Sequence, residues 1–268
     1  MSDSKNPVSA IGMVDRLDTP ASGFRPAEIE FVKAYLASGP MDAKITGRLG
    51  GEELLKARDA AQAELRQRDW PNLGQYRDAN AALAGRSVEA VFIGDSITEF
   101  WGYADTALFS GKVHNRGISG QTTPQMLLRF MADVIRLRPT VVHLMGGTND
   151  IAGNTGPSTY ADYQNNLLAM IALARHHGLR VILGSLVPAG SLGWRPEVQP
   201  RPRIAQINAW LRELAAEHGL VYADYHAVLS TPDGAMRADY TRDGVHPTAA
   251  GYAAMRPVAL AALDQALK

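Results

Sequence analysis

A serine, an aspartate and a histidine stand in short polar segments of this 268-residue chain, where they could support nucleophilic catalysis. Ser96 lies two residues after Gly94, directly beyond an apolar run. Asp243 lies three residues before His246 in "DGVHP". A serine hydroxyl becomes a nucleophile when a histidine takes its proton and a third group orients that histidine. Taken singly, a helix-capping serine and a structural histidine are commoner, so the hypothesis needs the three side chains to meet.

Donors that could stabilise an oxyanion follow two other predicted strands. Gly117 in "HNRGISGQT" can present an unhindered backbone N–H, and Asn149 in "GGTND" offers a side-chain amide. The backbone N–H of Ser96 is a third candidate, because the first N–H groups of a helix have no partner within it. Alone, Gly117 is most often a turn residue and Asn149 an Asx turn.

The chain from about residue 86 onward alternates short β-branched apolar runs with longer helical patterns, which is typical of βαβ units. The predicted strands are Val88 to Ile93, Lys112 to Asn115, Val141 to Met145, Val181 to Leu186 and Leu220 to Ala223. We therefore predict an α/β fold: a three-layer α/β/α sandwich, flavodoxin-like, with a central five-stranded parallel sheet. Ligands bind beyond the carboxyl ends of such strands, where the candidate residues fall.

Residues 1–85 show no convincing strand and have helical patterns at about 26–37, 51–69 and 72–84. The second of these is amphipathic and should pack on another surface. We expect residues 1–85 to form a helical extension that packs on the main domain, residues 86–268. Contact with a second subunit, in a homo-oligomer, is the alternative.

Four short blocks resemble the SGNH (GDSL) hydrolase family, in its bacterial acylhydrolase or esterase branch, in both residue type and order. They are "GDSI" at Gly94 to Ile97, "RGISG" at Arg116 to Gly120, "GTND" at Gly147 to Asp150 and "DGVHP" at Asp243 to Pro247. The resemblance covers roughly residues 86–268, and the first 85 residues lie outside the family's motifs.

The resemblance implies a catalytic triad in which Ser96 is the nucleophile, His246 the general base and then acid, and Asp243 the residue that holds the imidazole. It also implies an oxyanion hole formed by the backbone N–H groups of Ser96 and Gly117 with the amide of Asn149. Asp95 and Asp150 lie inside the motifs, and we expect both to stabilise their loops.

The substrate depends on the loops near the strand ends, for which three aromatic residues are candidate contacts. Trp101 and Tyr103 follow Ser96, and Trp194 stands in a proline-rich loop after the fourth strand. Aromatic rings beside a nucleophile suit sugar stacking and short acyl groups equally. We expect a serine esterase that hydrolyses short-chain, acetyl-type esters, with O-acetyl groups on carbohydrates as the first natural candidate.

Three other functions stay open at this point. An acyltransferase would use the same acyl-enzyme but admit an alcohol in place of water. A lysophospholipase-like or thioesterase-like activity would need the same catalytic residues. A non-catalytic binding module is the alternative from another class, and it has no need of an intact serine, histidine and aspartate.

Composition excludes several other classes. Basic and acidic residues balance at 27 each, so no large field favours nucleic acid. With no cysteine, disulfides, thiolate catalysis and Cys-ligated zinc are excluded, and no motif indicates a metal or cofactor. No apolar run reaches the roughly 18 residues that a membrane span needs. We expect a soluble protein, cytoplasmic as the sequence stands, or periplasmic or secreted if a leader has been removed.

Overall fold

The computed structural model describes residues 26–37, 60, 63–65 and 67–268. Its centre is a parallel sheet of five strands in the order β2-β1-β3-β4-β5. The strands are β1 (Ala90–Gly94), β2 (Val113–Gly117), β3 (Val141–Met145), β4 (Arg180–Gly184) and β5 (Val221–Ala223). The predicted α/β fold and five-stranded parallel sheet are confirmed, and the strand order is that of flavodoxin-like folds.

The strand ends differ from prediction where glycines take part in the sheet. Gly94 is the last residue of β1 and pairs with Gly117 of β2 on one side and with Met145 of β3 on the other. A Cβ on Gly94 would lie 2.1 Å from Thr98 Oγ1 and 2.4 Å from the Met145 oxygen. The glycine is therefore required by close packing at the strand end, and the chain turns only after it.

Helices cover both faces of the sheet. They are α1 (Pro26–Leu36), α2 (Arg77–Ala81), α3 (Ser96–Ala104), α4 (Thr123–Asp133), α5 (Thr148–Ala152), α6 (Tyr160–His176), α7 (Pro200–His218), α8 (Tyr225–Leu229) and α9 (Ala249–Leu267). Val91 and Ile93 belong to one buried cluster, whereas Ala90 and Phe92 belong to a second cluster on the other face. This alternation along β1 confirms a three-layer sandwich, since successive strand residues point to opposite faces.

Some predicted helices are shorter or differently placed. The α-helix after β2 ends at Asp133 and is followed by a 3₁₀ turn, Ile135–Leu137, which ends at Arg138 in a left-handed conformation with φ 50°. The predicted helix at 72–84 is reduced to α2. The prediction at 51–69 falls mostly outside the described residues. Helix α9 contains Pro257 in its interior.

Parts of the N-terminal region contact the sheet domain. Helix α1 packs on α3 and adds Val32, Tyr35 and Leu36 to the second buried cluster. Further along, the backbone oxygens of Trp70 and Pro71 accept hydrogen bonds from side chains near the start of α4. In the described residues, no helix combines the length and apolar character that crossing a membrane would require.

Candidate active site

Ser96, His246 and Asp243 form one chain of hydrogen bonds beyond the carboxyl end of β1. Ser96 Oγ lies 2.9 Å from His246 Nε2, and His246 Nδ1 lies 2.7 Å from Asp243 Oδ2. Ser96 is 9% exposed and begins α3, whereas His246 stands just before α9. The arrangement can pass a proton from the serine to the imidazole while the carboxylate faces the other ring nitrogen.

The Asp243 carboxylate is oriented by its own turn. Its Oδ1 accepts hydrogen bonds from the backbone N–H groups of Val245 (2.9 Å) and His246 (2.8 Å), which leaves Oδ2 for the imidazole. Gly244 between them has φ 81°, a conformation that favours glycine. Partial burial acts to raise the pKa of Asp243, but the hydrogen bond and charge of the imidazole and the two N–H groups hold it well below its ordinary value.

Asp95 caps α3 and is not part of this chain of hydrogen bonds. Its Oδ1 accepts from the N–H of Ile97 at 3.0 Å, as an N-cap side chain does. Burial raises the pKa of Asp95 to about 6, against the lowering effect of that hydrogen bond and of the His246 charge. The prediction that Asp95 stabilises its own loop agrees with these contacts.

Asn149 reaches the same edge of the sheet from the start of α5. Its Nδ2 donates to the Gln121 oxygen at 3.0 Å and to Asp95 Oδ2 at 3.4 Å, the longer and weaker of the two hydrogen bonds. Its Oδ1 accepts from Asn154 Nδ2 at 2.7 Å, so the amide has a defined orientation. The neighbouring Asp150 accepts from both the N–H and the hydroxyl of Thr123, in agreement with its predicted role as a loop anchor.

Gly117 does not offer a free donor, which corrects the sequence prediction. Its N–H donates to Asn115 Oδ1 at 2.8 Å, and a Cβ there would lie 2.2 Å from the backbone nitrogen of Glu99. Gly117 is therefore a glycine because the start of α3 packs directly on the end of β2.

Gly120 is the better placed donor in the same segment. It has φ 77° in a turn closed by the Gln121 N–H and the Ile118 oxygen, the position that type II turns reserve for glycine. Within the part of the chain that the structure describes, the N–H of Gly120 has no acceptor. Since Gln121 bonds to the Asn149 amide, Gly120 lies beside the other candidate donor.

A buried arginine that the sequence analysis missed holds these loops together. Arg129 of α4 has no exposed surface and donates to the backbone oxygens of Gly94 (3.0 Å) and Arg116 (2.8 Å) and to Gln121 Oε1 (2.6 Å). Its charge is paired with Asp133, one helical turn away, at 3.1 Å. The Arg–Asp spacing of four residues within this helix was the available sequence signal.

Trp101 cannot contact a substrate in this structure, which corrects a second prediction. Its side chain has no exposed surface, packs edge-on against Phe92 at 6.0 Å and stacks on Tyr252 at 5.6 Å. Tyr103 is partly buried against the same cluster. It lies seven residues beyond Ser96, roughly 10 Å along the helix axis, so only an extended substrate would reach it.

Phe100 and Trp194 are the aromatic residues beside the histidine. Phe100, which the sequence analysis missed, stacks on the His246 ring with centroids 5.1 Å apart and an interplanar angle of 27°. Trp194 lies 6.5 Å from the same ring and is 43% exposed. Its Nε1 donates to Asn154 Oδ1 at 2.9 Å, which links the proline-rich loop to the residue that orients Asn149.

Sequence comparison places the site within a known family. The model of the GDSL-like lipase/acylhydrolase family matches residues 92–254, a range that contains all three residues of the hydrogen-bonded chain. The chain belongs to this family. The resemblance to SGNH (GDSL) hydrolases is thereby confirmed, and the protein is an ester-hydrolysing enzyme.

Solved structures similar to this GDSL-like acylhydrolase share its fold over nearly their whole length. A Bacteroides fragilis protein provisionally classed as an acylhydrolase is 38% identical, with a TM-score of 0.71 over 75% of this chain and 99% of its own. A GDSL-like lipase from Bacteroides thetaiotaomicron is 36% identical, with a TM-score of 0.71 over 74% and 100%. A curated relative, the uncharacterized lipoprotein YqeF of Bacillus subtilis, is 38% identical over 77 residues, which span 28% of this chain and 32% of that protein.

Proposed function

We propose that the protein is a serine esterase that hydrolyses short-chain, acetyl-type esters through an acyl-enzyme, with O-acetyl groups on carbohydrates as its natural substrates. The observation that carries the proposal is the continuous hydrogen-bonded chain from Ser96 Oγ through His246 to Asp243. Family membership supports the reaction class.

In the acylation step, Ser96 Oγ attacks the ester carbonyl carbon while His246 Nε2 takes the hydroxyl proton. Asp243 stabilises the imidazolium that forms, and its lowered pKa favours the ionised carboxylate. The tetrahedral intermediate then collapses, the bond to the alcohol oxygen breaks, and Nε2 returns the proton to the leaving alcohol. Water repeats the sequence on the acyl-enzyme and releases the carboxylic acid with free Ser96.

The negative oxygen of each tetrahedral intermediate would be bound by the N–H groups of Ser96 and Gly120 and the amide of Asn149. The first lies at the start of α3, where backbone N–H groups and the helix dipole favour negative charge. Loss of one such donor typically raises the barrier by about 2.7–4 kcal/mol. Gly120 here replaces Gly117, whose N–H is already bonded to Asn115.

The surroundings of Asn149 support a small polar substrate. Asn154 contacts Asn149 directly, and the hydroxyl of Thr155 lies 2.9 Å from that of Thr122 nearby. Trp194 adds a partly exposed ring next to these polar side chains, since its Nε1 donates to Asn154 Oδ1. A sugar ring can stack its C–H face on tryptophan while its hydroxyls meet polar side chains, whereas a long alkyl chain would need a continuous apolar surface.

The first test compares wild type with Ser96→Ala on p-nitrophenyl acetate, butyrate and octanoate. We expect kcat/KM to be highest for acetate and to fall at least about 10³-fold in Ser96→Ala. Ser110→Ala is the matched control, because Ser110 is an exposed serine that bonds only to the Ala107 oxygen of its own turn. Equal activity of Ser96→Ala and wild type would contradict the nucleophile assignment, and a preference for octanoate would contradict the short-chain assignment.

A second test uses acetylated methyl xyloside and measures released acetate in the presence and absence of added glycerol. Hydrolysis predicts one acetate for each deacetylation event, with or without glycerol. Formation of acetylglycerol in place of acetate would identify an acyltransferase. Preference for a lysophospholipid or an acyl thioester over the acetylated sugar would move the assignment to those classes.

A further inference from the structure

Tyr35 brings helix α1 into contact with the turn that carries Asp243 and His246. Its hydroxyl lies 3.0 Å from Asp243 Oδ1, 2.9 Å from the His246 backbone oxygen and 3.2 Å from the Arg242 nitrogen. Tyr35 is separated from Asp243 by 208 positions and stands outside the residues 92–254 that match the family. The contact therefore belongs to a part of the chain that the family's motifs do not describe.

The hydrogen bonds of this hydroxyl hold the turn that carries Asp243 at both of its ends. A tyrosine hydroxyl has one proton to donate and lone pairs to accept. It accepts from the Arg242 N–H, and its proton is shared between the Asp243 carboxylate and the His246 carbonyl. Asp243 Oδ1 thus accepts from the Tyr35 hydroxyl in addition to its two backbone donors and the Thr241 hydroxyl at 3.3 Å, and Oδ2 is left toward the imidazole.

The ring of Tyr35 and the end of α1 are held in turn. The ring meets Phe100 edge-on at 6.4 Å and His246 edge-on at 6.3 Å. Arg242 Nε donates to the Tyr35 backbone oxygen at 2.7 Å, and Arg242 Nη2 to the Ala37 oxygen, where a cation at a helix C-terminus is favourable. Burial and the nearby Asp243 charge raise the pKa of Tyr35 to about 12, so the hydroxyl stays a neutral donor.

We propose that Tyr35 is a positioning residue that fixes the Asp243 carboxylate against His246, so that α1 supports the turn of Asp243 and His246 from outside the residues that match the family. The proposal rests on the proposed function. The side chain of Asp243 is 43% exposed, and the Tyr35 hydroxyl lies closer to its Oδ1 (3.0 Å) than the Thr241 hydroxyl of its own turn does (3.3 Å). Without this contact the carboxylate would rotate more freely, and the imidazole would spend less time aimed at Ser96.

The test is Tyr35→Phe, which keeps the ring and removes only the hydroxyl. Active sites are titrated with a fluorophosphonate that reacts with Ser96, and kcat is expressed per titrated site. We expect kcat per site to fall about tenfold, and the rate at which the fluorophosphonate reacts with Ser96 to fall by a similar factor. KM should stay within about twofold of the wild-type value. If the variant folds poorly, the number of titrated sites falls, but the value per site still reports positioning.

Tyr225→Phe is the matched control, because it also loses one buried hydroxyl, bonded to His143 Nε2 at 2.9 Å beneath the sheet surface. We expect it to lose stability while keeping wild-type kcat per site. Wild-type kcat and fluorophosphonate rate in Tyr35→Phe would overturn the role of Tyr35. The proposed function would instead be overturned if the fluorophosphonate did not label wild type and wild type hydrolysed no ester, or if Ser96→Ala were active. The two failures are therefore distinguishable.

Discussion

Phe100 lies one helical turn after Ser96 on α3, and both residues meet the same imidazole. Ser96 Oγ contacts His246 Nε2 at 2.9 Å, and the Phe100 ring stacks against the face of the imidazole with centroids 5.1 Å apart. The face of an aromatic ring carries negative potential and attracts cations. In the proposed mechanism, Phe100 would therefore stabilise the imidazolium that forms when the serine loses its proton, and it would limit rotation of the histidine.

Phe100→Leu should lower kcat about three- to tenfold with little change in KM, because leucine fills the site but cannot stabilise the imidazolium. Steady-state kinetics on p-nitrophenyl acetate measure the effect. Phe109→Leu is the control, since Phe109 packs edge-on against Phe92 and Trp101, away from the histidine. If both variants lose the same activity, the stacking contact has no special role.

Trp194 should affect which alcohol part of the ester is preferred, and it should not affect the catalytic steps at Ser96. Replacing Trp194 by alanine should reduce kcat/KM for an acetylated xyloside about three- to tenfold and leave ethyl acetate unchanged, because only the sugar can stack on the ring. Trp194→Phe keeps a ring but loses the hydrogen bond to Asn154, so it should retain most of the sugar activity. An equal loss on both esters in Trp194→Ala would contradict a substrate-stacking role.

The three residues of the hydrogen-bonded chain could be selected from the sequence because each of them stands in a short local motif at a strand end or before a helix. Helical phase explains the errors on α3. At 100° per residue, Phe100 lies about 40° from Ser96 around the helix and shares its face, whereas Trp101 lies about 140° away and turns into the core. Applying this rotation to the sequence would have selected Phe100.

The other differences depend on information that a local motif does not carry. A glycine can be required by an unusual φ, as at Gly120, or by close backbone packing, as at Gly117, and the letters of the sequence do not separate these causes. The contact between Tyr35 and Asp243 joins positions 208 residues apart, and only the packing of α1 on α3 brings them together.

A single substitution at Asn154 can remove its contact with Asn149 while keeping its contact with Trp194. Asn154→Asp keeps an oxygen to accept from Trp194 Nε1 but removes the N–H that bonds to Asn149 Oδ1 at 2.7 Å. We expect kcat to fall at least about tenfold on every ester, since the Asn149 amide loses its orienting donor and a negative charge approaches the oxyanion. The ratio of kcat/KM for the acetylated xyloside to kcat/KM for ethyl acetate should stay at the wild-type value.

Asn154→Ala removes both contacts and serves as the comparison. It should lower kcat on every ester and also reduce the preference for the acetylated sugar. Wild-type kcat on ethyl acetate in both variants would show that Asn149 is oriented without Asn154.

Asp95 should make the protein less stable as the pH rises from about 4 to about 6. Burial raises its pKa from the ordinary value of 3.8 to about 6, so across this window the folded state binds its proton while the unfolded state has released it. Stability then falls with rising pH, by up to about 3 kcal/mol in total. Asparagine caps helices as well as aspartate and cannot ionise. The free energy of unfolding of Asp95→Asn, relative to wild type, should therefore increase from pH 4 to pH 6 and stay level above it.

Urea denaturation followed by circular dichroism at each pH measures this difference, with Asp162→Asn as the control. Asp162 is an exposed residue of the α6 capping box, and hydrogen bonds from the Thr159 hydroxyl and N–H lower its pKa. A lowered pKa contributes stability that is present above the ordinary value and lost as the pH falls below it. The Asp162→Asn difference should consequently be flat between pH 4 and pH 8. A flat curve for Asp95→Asn as well would mean that Asp95 ionises as readily in the folded protein as in the unfolded chain, and that its burial carries no cost.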